Sequence, residues 1–291
     1  MTKRVGVVGG GIMGSGIAEV SARAGYDVLV REVDDSAAEA AQLRLSKSLG
    51  RAVRAGKFSE ADRDAALARL TFTTELEDLA DRDVVLEAVV EDEKEKSTVF
   101  SALGGIVAPH CLLASNTSSI PIMKLASVTS HPERVIGLHF FNPVPVLPLV
   151  EVVPSLLTAP ETVQRAEEFA GHGLGKHTVR CKDRAGFVVN ALLIPFILAA
   201  IRMVESGFAS AEDIDTAMVA GCAHPMGPLA LADLIGLDTT HAVASSMYAE
   251  FKEPLYAAPP LLLRMVEAGL LGRKSGRGFF EYAEPPMRAT G

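Results

Sequence analysis

The chain has 291 residues, enough for one or two domains, and 48% of them are hydrophobic, as in an ordinary soluble protein. A net charge of −8, with no basic stripe carrying interleaved aromatic residues, argues against nucleic-acid binding but still allows a local site for an anionic ligand. The three cysteines show no metal spacing and no disulfide framework, and the longest apolar run, residues 191–201, is too short to span a bilayer. The N-terminal residues do not resemble a signal peptide. We therefore expect a cytoplasmic protein with no metal, no membrane contact and no nucleic-acid partner.

A glycine-rich segment follows the first predicted strand. Residues 4–8 are β-branched and apolar, and Gly9, Gly11 and Gly14 match the G-x-G-x-x-G pattern just before a predicted helix. These glycines allow a tight turn, close approach of a pyrophosphate and close packing of helix on strand. A second strand ends at Glu32, at the distance expected of a ribose-binding acid. The pattern predicts NAD binding; Arg31, beside Glu32, leaves NADP possible.

A helical hairpin is predicted between residues 36 and 70, broken at residues 55–56, with Ser59 and Asp62 opening its second helix. Its first part carries basic residues at three- and four-residue spacing: Arg44, Lys47, Arg51, Arg54 and Lys57. These form either a solvated helix face or a site for an anionic substrate such as a nucleotide-tailed thioester.

Further strands alternate with helices at residues 84–90, 112–115, 135–139, 149–153 and 177–181. This alternation predicts a Rossmann-type α/β fold, a doubly wound and mostly parallel sheet with a helical hairpin insertion. Ligands bind such sheets at the carboxyl ends of the strands. Glu91, the polar run 115–119 and His139 fall at those ends, so we expect them in the cofactor crevice.

Residues 139–153 combine an imidazole with a carboxylate. His139 ends an apolar strand, three prolines form a stiff connector, and Glu151 lies in the next strand. A carboxylate that orients an imidazole makes a general base. The alternative is that His139 caps a strand end and Glu151 is a solvated strand residue.

The periodicity becomes helical near residue 185. We predict a domain boundary there, giving an NAD-binding domain at 1–185 and an all-helical domain at 186–291 for substrate binding and dimerisation. Helices as apolar as residues 187–206 usually bury against other helices or a second subunit, so we expect a homodimer through this domain. The basic, glycine-rich tail around Lys274 is either a flexible loop or a phosphate or ribose contact.

Five segments together resemble the signature blocks of the 3-hydroxyacyl-CoA dehydrogenases, and the short-chain 3-hydroxybutyryl-CoA dehydrogenase branch fits best. The blocks occur in the family's order between about residues 4 and 282: GGGIMG (9–14), ASNTSS (114–119), GLHFFNPVP (137–145), GFVVN (186–190) and KSGRGF (274–279). The resemblance implies NAD-dependent, reversible oxidation of an (S)-3-hydroxyacyl-CoA, typified by 3-hydroxybutyryl-CoA, to the 3-ketoacyl-CoA.

The same resemblance implies roles for individual residues. The expected catalytic and substrate-positioning residues are His139, Glu151, Ser118 and Asn190. The expected cofactor-binding residues are Gly9, Gly11, Ile12, Met13, Gly14, Glu32, Glu91, Lys96, Asn116, Ser118, Asn142 and Lys274. The coenzyme A moiety is expected at Ser118, Arg51, Arg54 and Lys57.

The chain departs from the family pattern at two positions. Pro148 stands where many relatives carry a lysine, and Ala191 stands where many carry an arginine. These changes leave the reaction intact but leave the acyl substrate open. The alternative hypotheses are a dehydrogenase acting on another 3-hydroxy acid or a carrier-protein thioester, and a non-catalytic dinucleotide-binding protein. The retained pair of His139 and Glu151 argues against the last, because binding alone needs neither residue.

Overall fold

The structure is a computed structural model that describes residues 4–282. It divides into two compact units, one ending at Phe187 and the other beginning at Val188. The first unit contains an eight-stranded sheet. Its strands are β1 (Arg4–Val8), β2 (Asp27–Arg31), β3 (Leu70–Thr73), β4 (Val84–Glu87), β5 (Leu112–Ser115), β6 (Val135–Phe140), β7 (Leu149–Pro154) and β8 (His177–Arg180).

The strand order is β3-β2-β1-β4-β5-β6-β7-β8, and the sheet is parallel except where β7 runs antiparallel to β6. The doubly wound α/β fold predicted from the sequence is confirmed. The connection between β6 and β7 is too short for a crossover helix, so an antiparallel pairing follows. β4 to β7 are buried on both faces, as expected of a sheet covered on both sides.

Six α-helices accompany this sheet: α1 (Ile12–Arg23), α2 (Asp35–Arg54), α3 (Glu60–Leu67), α4 (Glu93–Ile106), α5 (Ile122–Ser127) and α6 (Pro160–Glu168). α2 and α3 form the predicted hairpin. Asp34 caps α2 by accepting from the Ala37 N–H at 2.8 Å, and Ser59 caps α3 by accepting from the Asp62 N–H at 3.0 Å. These caps satisfy N–H groups that have no partner within the helix.

Two apolar clusters cover the two faces of the sheet. One contains Ile136, Leu138 and Phe140 of β6. The other contains Val135 of β6 and Val153 of β7. Because successive strand residues point to opposite faces, the side chain of His139 lies on the same face as Val135.

The second unit is helical within its described residues, as the sequence predicts. Its helices are α7 (Val189–Glu205), α8 (Ala211–Cys222), α9 (Pro228–Ile235), α10 (Leu237–Phe251) and α11 (Pro260–Glu267). Ser210 caps α8 by accepting from the Asp213 N–H at 3.1 Å, the pattern expected from the sequence.

Three sequence-based boundaries differ from the structure. Strand β3 was missed, because no element was predicted between the end of the hairpin at residue 70 and the strand at 84–90. The strand predicted over 84–90 ends at Glu87. The basic ridge assigned to one helix extends beyond it, since α2 ends at Arg54 and Lys57 lies in the following turn.

Candidate functional site

The glycine-rich loop joins β1 to α1 at the carboxyl edge of the sheet. Gly9 has a φ of +92°, a conformation that favours glycine. A Cβ atom at Gly14 would overlap the carbonyl oxygen of Gly9. At Gly11, by contrast, an added Cβ atom would come within 4 Å of no described residue other than its two chain neighbours. The loop is therefore tight where it packs and open at its second glycine, where a diphosphate would approach.

Two charged side chains hold this loop from the side of β2 and α2. Glu32 Oε1 accepts a hydrogen bond from the Gly10 N–H at 2.6 Å. Arg44 Nη1 donates to the Gly10 carbonyl oxygen at 2.5 Å. A carboxylate at the end of β2 suits a ribose, and a guanidinium beside the loop suits an anionic diphosphate. Ile12 is 67% exposed at the start of α1, whereas Met13 packs against the sheet.

A buried cluster of charges lies beneath the ends of β4 and β5. Lys96 Nζ lies 2.6 Å from Glu87 Oε1 and 3.2 Å from Glu91 Oε2. Glu87 also accepts from Ser115 Oγ at 2.6 Å and from the Val89 N–H at 2.7 Å. Lys96 was expected to contact the cofactor; the structure places its ammonium between two carboxylates, with 2% of the side chain exposed.

Glu91 gathers the polar loop that follows β5. Its Oε1 accepts from Thr117 Oγ1 at 2.6 Å, the Ser118 N–H at 2.9 Å and the Ser119 N–H at 3.1 Å. Burial alone raises the pKa of Glu91, but the charge of Lys96 and these donors outweigh it, so the pKa lies below its ordinary value. The carboxylate stays ionised and fixes the backbone around Ser118.

Asn116 connects the same loop to the next strand. Its Oδ1 accepts from the Phe140 N–H at 2.9 Å. Ser118 follows β5, and His139 is the penultimate residue of the neighbouring parallel strand β6, at the same edge of the sheet. The structure therefore places the predicted residues Glu91, Asn116, Ser118 and His139 on adjacent strand ends.

His139 and Glu151 are direct cross-strand partners. They pair in the register of β6 and β7, and His139 Nδ1 lies 2.7 Å from Glu151 Oε2. The side chains are only 8% and 1% exposed. A carboxylate accepts the hydrogen at Nδ1, which leaves the Nε2 lone pair free to take a proton. An imidazole held in this way can act chemically as a general base, and the burial of Glu151 excludes a solvated strand position for that side chain.

Two aromatic rings pack on the His139 imidazole. The ring centroids of Phe141 and Phe187 lie 4.5 and 5.5 Å from the imidazole centroid. They limit its contact with water and its freedom to rotate.

A lysine just before β8 binds the proline-rich connector that follows His139. Lys176 Nζ donates to the carbonyl oxygens of Val144 at 2.5 Å and Leu147 at 2.7 Å. Burial and the nearby charge of Arg23 lower the pKa of Lys176. Asn142, an expected cofactor contact, is exposed in this connector.

The basic residues of the hairpin separate into two groups. Arg44 faces the glycine-rich loop, whereas Arg51, Arg54 and Lys57 are exposed at the far end of α2 and in the turn after it. The exposed three form the group expected to bind coenzyme A phosphates.

Two expected site residues belong to the second unit. Asn190 is partly buried in the first turn of α7. Lys274 Nζ donates to Asp238 Oδ2 at 2.6 Å, an ion pair that lowers the pKa of Asp238 even though burial opposes it. The tail around Lys274 is thus tied to the start of α10.

Three residues near the candidate site were not predicted from the sequence to lie there: Glu87, Arg44 beside the glycine-rich loop, and Phe187. Glu87 was predicted to be an interior residue of a longer strand. An acidic residue within the apolar run 84–90 could have indicated a buried carboxylate with a charged partner. Among residues 4–282, no group of His, Cys, Asp or Glu side chains could hold a metal ion. Within the same range, no helix has the length and apolar character needed to cross a membrane.

Comparisons with known proteins found two family models that match the chain. The family model described as "3-hydroxyacyl-CoA dehydrogenase, NAD binding domain" matches residues 4–184, and "3-hydroxyacyl-CoA dehydrogenase, C-terminal domain" matches residues 186–282. A 3-hydroxybutyryl-CoA dehydrogenase of Mycobacterium tuberculosis is 63% identical over 281 residues, covering 96% of this chain and 98% of that protein.

Two solved structures show the range of similar proteins. The (S)-3-hydroxybutyryl-CoA dehydrogenase PaaH1 of Ralstonia eutropha superposes with a TM-score of 0.93 at 44% identity, covering 98% of this chain and 100% of the other. The second is a 5-dehydrogenase of a pyridine carboxylic acid, described as an NAD⁺-dependent dismutase. It superposes with a TM-score of 0.76 at 33% identity, covering 97% of this chain and 92% of the other.

Proposed function

Because the chain belongs to the 3-hydroxyacyl-CoA dehydrogenase family of oxidoreductases, we propose that it interconverts (S)-3-hydroxybutyryl-CoA and acetoacetyl-CoA with NAD. The observation that carries the proposal is the buried contact of 2.7 Å between His139 Nδ1 and Glu151 Oε2. The names of the similar proteins from M. tuberculosis and R. eutropha support the substrate.

The base has a defined task in this reaction. A secondary alcohol loses hydride readily only if its hydroxyl proton leaves in the same step. His139 Nε2 accepts that proton, and Glu151 stabilises the imidazolium that forms. In the reductive direction the imidazolium returns the proton to the carbonyl oxygen. General acid–base catalysis of this kind contributes roughly 10²–10⁴-fold to the rate.

The dinucleotide fits the residues at the sheet edge. When bound, NAD supplies the hydride acceptor. The open face of Gly11 and the first turn of α1 suit its diphosphate, and Glu32 suits a ribose with free hydroxyls. A 2′-phosphate would meet the charge of Glu32, which favours NAD over NADP. We keep Ile12, Met13, Asn142 and Lys274 as further proposed contacts.

Substrate positioning is assigned to Ser118 and Asn190. Ser118 is fixed through its backbone N–H by Glu91. The exposed cations Arg51, Arg54 and Lys57 suit the phosphates of coenzyme A, although each alone is an ordinary solvated side chain.

The setting of the enzyme is also part of the proposal. Exposed apolar side chains in the helical unit, such as Leu192 at 73% and Phe208 at 76%, favour a homodimer through that unit. We propose a cytoplasmic enzyme of fatty acid metabolism, with an acyl-CoA as its partner molecule. Sedimentation of the purified chain at micromolar concentration tests the dimer.

A second candidate is a dehydrogenase acting on another 3-hydroxy acid or on a carrier-protein thioester. Pro148 favours it, because an expected positive charge is missing beside the site. The similar dismutase named for a pyridine carboxylic acid also favours it.

The deciding experiment measures NADH oxidation with acetoacetyl-CoA for the wild type, His139→Ala and His131→Ala. His131 is a matched control, because it also faces a glutamate, Glu133, at 3.1 Å but is exposed. We expect His139→Ala to lose roughly 10²–10⁴-fold in kcat with NADH affinity nearly unchanged, and His131→Ala to behave as wild type. Failure of the wild type to oxidise NADH with acetoacetyl-CoA, together with reduction of NAD⁺ by free 3-hydroxy acids, would favour the second candidate. Full activity of His139→Ala would remove the assigned base.

A further inference from the structure

The backbone of Phe187 is in a conformation that phenylalanine rarely adopts. Among residues 4–282, three non-glycine residues have positive φ: Phe187 at 47°, Ala223 at 55° and Lys252 at 57°. Ala223 and Lys252 are the C-caps of α8 and α10, where a left-handed residue ends a helix. Phe187 ends no α-helix, so its conformation needs another explanation.

This conformation brings the side chain of Phe187 to the proposed base. The ring is 8% exposed, joins the apolar cluster on the face of the sheet that carries His139, and lies 5.5 Å from the imidazole at an interplanar angle of 58°. Unfavourable backbone conformations persist where the surrounding structure requires them, often at active sites.

The imidazole is then restrained by groups of different kinds. Glu151 binds Nδ1, and the rings of Phe141 and Phe187 pack on the imidazole ring. A hydrogen bond to one nitrogen fixes the tautomer but still permits the ring to tilt. Packing against an aromatic ring opposes that tilt and keeps Nε2 pointing in one direction.

We propose that Phe187 is a positioning residue whose strained backbone holds its ring against His139 and so fixes the direction of Nε2. The inference rests on the proposed role of His139 as the base. It adds a residue whose proposed effect on the reaction is exerted through its contact with the imidazole.

The test compares Phe187→Leu with Phe169→Leu in the full-length chain. Phe169 is a matched control, because it is 5% exposed and packs edge-on against Tyr26 in the cluster on the other face of the sheet. With acetoacetyl-CoA and NADH, we expect Phe187→Leu to lower kcat by about tenfold with little change in KM, since misorientation of a reacting group affects the chemical step. Phe169→Leu should keep the wild-type kcat.

Histidine NMR supplies a readout independent of activity. The carbon-bound protons of His139, assigned with His139→Ala, should move in Phe187→Leu because a ring-current source is lost, and should stay in place in Phe169→Leu. Wild-type kcat with unmoved His139 signals in Phe187→Leu would overturn the proposal, as would equal losses of kcat in both variants. If Phe187→Leu does not fold, nuclear Overhauser measurements on the wild-type protein provide the test. The absence of contacts between the Phe187 ring and the His139 imidazole would overturn the proposal. If the wild type lacks activity on the thioester, the proposed function fails while the NMR comparison still tests the contact.

Discussion

Lys96 Nζ lies 2.6 Å from Glu87 Oε1, and the two side chains are 2% and 0% exposed. A charge pair so far from water is tolerated only when each partner is compensated. Glu87 completes its coordination with Ser115 and the Val89 N–H, while Lys96 also faces Glu91. The pair thereby connects the ends of β4 and β5 to the loop that carries Ser118.

Replacing Glu87 by Gln should destabilise the fold strongly. We expect a loss of about 3 kcal/mol in the free energy of unfolding, the low end for breaking a buried pair, because Glu91 still faces Lys96. The double variant Glu87→Gln with Lys96→Met should lose less than the sum of the single changes. Urea unfolding measures the free energy of unfolding of the two single variants and of the double variant. As a control, Glu167→Gln, which breaks an exposed pair with Arg180, should cost at most about 1 kcal/mol. Additive effects in the double variant would contradict the coupling.

Replacing Glu151 by Gln should reduce turnover while preserving the fold. The amide can present its NH₂ group to Nδ1 and stabilise the tautomer that carries its proton on Nε2, so the base would be blocked. We expect kcat to fall by roughly 10²–10⁴-fold, comparable to an orienting carboxylate lost in other enzymes, with NADH affinity within about twofold. Steady-state kinetics and NADH fluorescence titration measure the two quantities. Glu133→Gln, beside the exposed His131, should match the wild type. Substantial activity in Glu151→Gln would mean that the carboxylate does not orient the base.

The sequence predicted the sheet and the grouping of polar residues at its carboxyl edge, because both depend on short-range patterns. Strand ends at Ser115 and His139 could be read from the apolar runs before them, and the three prolines restricted the connector to a short turn before Glu151. Once the strands were placed, the rule that ligands bind at their carboxyl ends brought the polar residues together.

What the sequence did not predict depends on contacts between distant elements. β3 contains only four residues and begins shortly after a helix, so it is too short for a clear alternation of apolar and polar positions. Helical spacing placed Arg44 on the ridge with Lys47 and Arg51, but only the packing of α2 near β1 turns it to Gly10. The contact of Phe187 with His139 requires a backbone conformation that propensities disfavour.

Glu32 should determine the preference between the two nicotinamide cofactors. The carboxylate beside Gly10 would repel a 2′-phosphate, so Glu32→Ala should narrow the ratio of kcat/KM for NADH over NADPH by roughly tenfold, as expected for one close charge interaction. Parallel kinetics with both cofactors measure this ratio. Glu39→Ala, an exposed glutamate on α2, should leave it unchanged. A wild-type preference for NADPH would contradict the role given to Glu32.

Arg44 should contribute to cofactor affinity, although its spacing in the sequence grouped it with the cations expected to face an anionic substrate. Its guanidinium donates to the Gly10 carbonyl oxygen and adds positive charge beside the loop. Arg44→Met should weaken NADH binding by roughly tenfold, the effect expected when a charged hydrogen bond is lost. Lys47→Met, an exposed cation one turn away, should have little effect. Fluorescence titration distinguishes the two variants, and equal affinities would assign Arg44 a purely structural role.

The lowered pKa of Glu91 should appear as acid sensitivity of the folded state. A carboxyl whose folded pKa lies below its unfolded value releases its proton more readily in the folded state, so it stabilises the fold fully above the unfolded value of about 4.5. That stabilisation is lost as the pH falls through the folded pKa. Glu91→Gln should therefore show a shallower decline of unfolding free energy below about pH 5 than the wild type.

Thr117→Val provides the companion measurement, because it removes one of the donors that lower the pKa of Glu91 while keeping the carboxylate. In this variant the folded pKa of Glu91 should rise toward the unfolded value. The stabilisation of the fold by ionised Glu91 should then be lost over a narrower pH range and at higher pH. Urea unfolding at several pH values between about 3.5 and 6, a window around the unfolded pKa, compares the slopes of stability against pH. Identical slopes for the wild type and Glu91→Gln would show that Lys96 and the loop donors do not favour the ionised form of Glu91 over the protonated one.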